Sequence, residues 1–127
     1  MTTLNKRILH FGLPGHPTDP SVSNESIQAI VTSGAEKARK AGYDVQLTFL
    51  DPEDFTSSLS NLKSELGTGK WDALVIGGGI RVAPQFVVQF EQTINIAREV
   101  APKTRILFQA APGDIYETVQ RGFEGGI

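Results

Sequence analysis

Residues 73–86 read ALVIGGGIRVAPQF: four apolar residues, three consecutive glycines, an arginine and, three positions on, a proline. A short apolar run without polar alternation reads as a strand buried on both faces, and glycines directly behind it read as a turn into a helix. A strand buried on both faces belongs to a parallel sheet covered by helices, so this stretch predicts an α/β fold. It also raises a question: what comes so close to the backbone at 77–79 that side chains are excluded?

The same strand-helix unit recurs on both sides of it. Arg7 to Leu13 (RILHFGL) is a short apolar run that reads as a buried strand. From Ser23 onward, Ile27, Ile30, Val31, Gly34, Ala35 and Ala38 follow helical spacing, with Ser23 as N-cap, Glu25 in the first turn and Gly42 as the stop. Tyr43, Val45, Leu47 and Phe49 alternate as a strand does. Asp51-Pro52-Glu53 then reads as a cap, a first-turn proline and an N-terminal acid, opening a helix with Phe55, Leu59, Leu62 and Leu66 inward and Gly67 at its end. Behind the glycines, Ala83, Phe86, Val87, Phe90, Ile94 and Ala97 form the inner face of a third helix. Arg105 to Gln109 is a fourth strand, and Asp114 caps a last helix with Ile115, Val119 and Phe123 inward; residues 124–127 read as a loose tail.

Four strand-helix units joined by right-handed crossovers predict one three-layer domain over residues 1–127, with a four-stranded parallel sheet in the order 2-1-3-4 and helices on both faces. In such sheets ligands bind at the carboxyl ends of the strands where the order reverses, here between strands one and three. The two loops meeting there are GLPGHPTDP and GGGIRVAP. One is the longest connection in the chain and the other its most glycine-rich.

Composition limits the function. The chain has 127 residues, 39% of them apolar and 20% charged, with twelve basic residues against fourteen acidic ones. With KARK at 37–40 as the only basic cluster, no nucleic-acid partner is expected. There are no cysteines, which excludes thiolate metal sites, disulfides and cysteine nucleophiles, and with two histidines no histidine-rich metal site is expected. No apolar run approaches the roughly 18 residues of a membrane span, and MTTLNKR runs straight into the first strand, so a cytoplasmic protein with no membrane partner is expected.

The candidate site residues follow from this placement. Gly12, Gly77, Gly78 and Gly79 allow backbone amides to approach a ligand, and Arg81 adds a planar donor fork for a phosphate or carboxylate. The alternative is a tight turn that permits close helix packing, with Arg81 solvated. His16 and Asp19, in the long loop, are the candidate proton-moving groups; an ordinary loop histidine and an aspartate in turn chemistry before Pro20 are the competing readings. Asp51 and Gln109, at strand ends, and Glu91, on the third helix, complete the candidate binding set, although capping accounts for Asp51 fully. His10, inside the first strand, reads as a hydrogen-bonded core histidine. Val88, Ile96 and Val100 lie on other sides of the third helix, and strand four lacks a polar guard, which together predict a homodimer.

The architecture resembles that of flavodoxins, but their phosphate loop is rich in serine and threonine where this chain has FGLPGHPTDPS, so neither FMN nor any other cofactor is expected. It also resembles receiver domains, which need an acidic pair after strand one and an aspartate ending strand three; Gly12 and Gly77 stand at those places. The two-loop layout is similar to that of type II dehydroquinases, without their lid tyrosine. Gly77, Gly79, Arg81, Pro84, Phe90 and Glu91 resemble a pattern in small flavodoxin-like bacterial and fungal α/β proteins of unassigned function, which implies a fold and no activity. The expectation is therefore a cofactor-independent enzyme using acid/base chemistry on a small anionic metabolite, as a lyase, isomerase or hydrolase. The alternatives are a ligand-binding or regulatory module and an interaction scaffold.

Overall fold

The structure, a computed structural model, describes residues 6–124. Four strands, β1 (Lys6–Gly12), β2 (Tyr43–Phe49), β3 (Ala73–Ile76) and β4 (Arg105–Phe108), form one all-parallel sheet in the order β2-β1-β3-β4. In register, Ile8 lies opposite both Val45 and Ala73, and Leu74 lies opposite both Leu9 and Ile106.

Because successive side chains point to opposite faces, the apolar runs of β1 and β3 supply two cores. Leu9, Phe11, Leu74 and Ile76 face α2 (Phe55–Leu66) and the long helix after the glycine turn, while Ile8, Val45, Ala73 and Val75 face α1 (Asn24–Lys40) and the C-terminal helix. Ser23 caps α1 by accepting from the Ser26 amide at 3.0 Å, and Lys37, Arg39 and Lys40 fill its last turn, where they complement the helix dipole. The chain then reverses through Gly42 at φ 103°, a left-handed conformation that favours glycine.

Two boundaries differ from the sequence expectation. The second helix starts at Phe55 rather than at Pro52, with Asp54 as its cap accepting from the Ser57 amide at 3.1 Å. Asp51 instead closes a turn: its Oδ1 accepts from the Glu53 amide, and its carbonyl accepts from the Asp54 amide. The segment after the glycines is broken into α3 (Gly78–Val82), a 3-10 turn at Pro84–Phe86, and α4 (Val87–Val100). Pro84 has no amide hydrogen to donate and holds Ala83 extended, at ψ 122°, so a continuous helix cannot pass.

The break reorients α4. Ile96 and Val100, expected on a second apolar side, pack with Phe90 and Ile94 against the same core as Ala97. Val87 and Val88 are the exposed apolar residues of this helix. The last helix, α5 (Ile115–Glu124), takes in the first residue of the expected tail: Glu124 accepts a hydrogen bond from the Tyr43 hydroxyl at 2.5 Å. The rest of that tail, 125–127, lies outside the described residues.

Candidate functional site

After β1 the chain turns toward α1 on one face, and after β3 it turns toward α4 on the other, which opens a crevice between the two strand ends. The glycines at these ends are explained first by the chain itself. A Cβ on Gly77 would stand 3.0 Å from the Cα of Gly12, and one on Gly78 would stand 3.2 Å from the Gln109 carbonyl oxygen. A Cβ on Gly79 would stand 2.9 Å from the Leu13 side chain. All are closer than ordinary van der Waals contact, and none of these glycines has a positive φ. Glycine is thus required at 77 because the carboxyl ends of two adjacent strands meet there, backbone to backbone.

Around this meeting point lies a cavity of about 260 Å³. Its floor is His10 and Gly12 of β1, and its walls are the loop Leu13–Pro17, Ile27 and Val31 of α1, the turn Gly77–Gly79 with Arg81 and Val82, and Gln109–Pro112 after β4. Of the residues singled out in the sequence, Gly12, His16, Gly77, Gly78, Gly79, Arg81 and Gln109 line it. Asp19, Asp51 and Glu91 do not. Asp51 borders a neighbouring cleft that shares His16, and Glu91 is exposed on α4.

The polar groups have defined partners. Arg81 donates to the Gln109 carbonyl at 3.2 Å and its guanidinium lies 5.9 Å from the centre of the Phe108 ring, so the exposed fork is held over the end of β4. Among the described residues the bond to Gln109 is its one side-chain hydrogen bond, although the guanidinium carries five N–H donors. His16 Nδ1 accepts from the amides of Asp19 at 2.8 Å and Thr18 at 3.2 Å. With Nδ1 used as an acceptor, the ring hydrogen sits on Nε2. Asp19 Oδ1 accepts from both the amide and the hydroxyl of Ser21, and these bonds hold its carboxyl below the usual range. Asp19 is an exposed turn carboxylate that pairs with Ser21 and does not line the cavity.

Gln109 is buried, and its Nε2 points to the carbonyls of Ala111 and Pro112 and to Asp114 Oδ1, at 3.2–3.3 Å. Asp114 Oδ2 accepts from the amides of Ala110 and Ala111. Standing directly before α5, where the sequence placed it as a cap, Asp114 also accepts from the Thr118 amide on its carbonyl and from the Thr118 hydroxyl on Oδ1, so one residue opens the helix and knots the loop between β4 and α5.

His10, read from the sequence as a core histidine, also borders the cavity. It is buried as expected, at 1% exposure, yet its ring lines the cavity, with Nε2 and Cε1 at 2.8 and 2.9 Å from the position of a Cβ on Gly12. Phe49 packs against it edge-on at 5.6 Å, and Nδ1, itself buried, has no hydrogen-bond partner among the described residues. Burial lowers its imidazole from 6.5 to about 4; the nearby Thr48 backbone and Gln109 side chain oppose the shift without reversing it. The available signal was its position two residues before the carboxyl end of β1, beside Gly12. Among the described residues, no group of three or more histidines and carboxylates is placed to hold a metal ion, and no helix is long and apolar enough to cross a membrane.

No protein-family model, curated protein or solved structure matches the chain.

Proposed function

We propose that this cavity binds a small anionic metabolite, a carboxylate or phosphate, and that the protein is a cofactor-independent enzyme carrying out acid/base chemistry on it as a lyase, isomerase or hydrolase. The observation that carries the reading is that one crevice at the sheet's switch point collects Arg81, His16 and the backbone of three glycine positions. Arg81 pairs with the anion at the rim. His16, whose Nε2 carries the hydrogen because Nδ1 accepts two loop amides, serves as the proton donor, and the loop Leu13–Val22 covers the bound ligand.

Thermal-shift titration with phosphate, sulfate and small carboxylates is the first test. The expected outcome is a rise in Tm for the wild type that Arg81→Ala abolishes while its ligand-free Tm stays within a degree or two. His16→Ala is expected to keep the shift and lose turnover on the substrate so identified. Retained turnover in His16→Ala moves the protein to the second reading, a binding module with the same pocket.

Self-association is a further part of the proposal. Val82, Val87, Val88 and Phe108 are exposed near the unpaired edge strand β4, which a second copy of the chain would cover.

A further inference from the structure

We infer that the cavity takes a short-chain monocarboxylate, with its carboxylate on Arg81 at the rim and an uncharged apolar tail reaching inward to His10 and Gln109. This rests on the anion-binding reading of Arg81 and specifies the rest of the same ligand, which carries its one charge at one end.

The lining is sorted by depth. Arg81 and His16, its ionisable groups within reach of solvent, are exposed, whereas Leu13 and Ile27 are 8% exposed, Val31 3%, and His10 and Gln109 each 1%. The deep polar pair is already spent. Gln109 Nε2 donates to the carbonyls of Ala111 and Pro112 and to Asp114 Oδ1, which leaves Oε1 as the atom that pairs with the His10 side chain. The other imidazole nitrogen, Nδ1, is buried. Because burial lowers the ring to about 4, it is neutral at pH 7, and the deep end presents neither a charge nor an unpaired side-chain N–H.

A charged group carried to that depth loses its water and gains no ion pair in return. No carboxylate lines the cavity among the described residues to meet an ammonium group, and a second carboxylate on the ligand would find Arg81 already occupied. A methylene loses nothing there. Ile27 and Val31, one turn apart on α1, and Leu13 of the first loop supply the wall that takes its surface out of water. A cavity of about 260 Å³ holds roughly nine water-sized groups at about 30 Å³ each, so the chain ends at about six carbons.

The test is an NMR titration of ¹⁵N-labelled wild-type protein at pH 7 with acetate, propionate, butyrate, valerate and hexanoate, and with glutarate and 5-aminovalerate, which carry a second charge on a chain of valerate's length. The expected result is affinity that rises about three- to fourfold with each added methylene up to hexanoate, the effect of burying one CH₂ group. Glutarate and 5-aminovalerate are expected to bind at least about tenfold more weakly than valerate, and Arg81→Ala to weaken the whole series. Val31→Thr, which keeps the size and sets a hydroxyl in the wall, is expected to bind acetate as the wild type does and to flatten the gain with length. Should this variant not fold, the wild-type series decides. If affinity is independent of chain length, or if glutarate matches valerate, while Arg81→Ala still weakens binding, the inference falls and the anion reading stands. If no carboxylate or phosphate binds at tens of millimolar, both fall together.

Discussion

His10 couples the stability of the protein to the make-up of its cavity. Because burial lowers its imidazole from 6.5 to about 4, the unfolded chain takes up a proton as the pH falls through 6.5, while the folded chain resists until near 4. The full stability is therefore present above 6.5 and is lost progressively down to about 4. At about 1.4 kcal/mol per pH unit, the loss is about 3 kcal/mol over that range. Asp19, Asp54 and Glu117, whose carboxyls are lowered by hydrogen bonds, withdraw their contributions only as the pH falls from about 4.5 downward, below most of this window. Urea denaturation at pH 7 and pH 4.8 is expected to show a steep loss for the wild type and a shallow one for His10→Leu; parallel losses in the two proteins would assign the effect to other groups. Gly77 permits a second prediction. Its missing Cβ is what allows β1 and β3 to end against each other, so Gly77→Ala is expected to cost about 1–3 kcal/mol by urea unfolding and to weaken ligand binding, because the backbone of Gly12 must give way. The sequence announced a close approach at 77–79, but what approaches is non-local and 65 residues away in the chain.

Among the elements, the connection between β4 and α5 does the most to shape the site. One carboxylate, Asp114, holds the Ala110 and Ala111 amides and the Gln109 side chain at once. Asp114→Ala is expected to cost about 1–3 kcal/mol, to raise hydrogen exchange at Ala110 and Ala111, and to free the Gln109 amide to turn over. Exchange rates unchanged at those two amides would show that the loop is held by other contacts. The element boundaries show where local signals conflict. In DPEDF two aspartates compete to cap the same helix, and Asp54 wins because the turn closed by Asp51 delivers it there. In the segment after the glycines the apolar spacing suggested one helix, whereas Pro84 ends it locally. The proline was visible in the sequence, and its backbone effect overrode the periodicity.

At the scale of the molecule, the sheet has two edges, β2 and β4. Around β4 lie Phe108, Val82, Val87 and Val88, all exposed, whereas Ile96 and Val100 are taken up by the core. The proposed self-association therefore belongs to the surface around Val88. Val88→Asp is expected to halve the mass measured by light scattering without changing the Tm of the monomer appreciably, since this side chain packs little within its own chain. A wild type that is already monomeric at tens of micromolar would remove the proposal. Ile96→Asp is unsuited to the same purpose, because Ile96 packs against the core and its loss would unfold the chain.

The sequence by itself determined the architecture. Two strands without polar alternation, amphipathic helices between them and caps such as Ser23 are local signals, and the handedness of crossovers leaves few ways to assemble four such units, so the parallel order β2-β1-β3-β4 was already implied. It also placed the crevice, since the switch point follows from the order. Only the tertiary structure decided which polar groups face one another there. His10 reads as core from its neighbours in β1, and is core, yet its ring also borders the cavity because Gly12 and Gly77 leave space beside it and Gln109 arrives from β4. Asp19 reads as a candidate from its loop, yet it pairs with Ser21 and does not line the cavity. Periodicity records which face of an element is apolar; the direction in which a polar side chain finds its partner depends on residues far away in the chain, and no local pattern carries it.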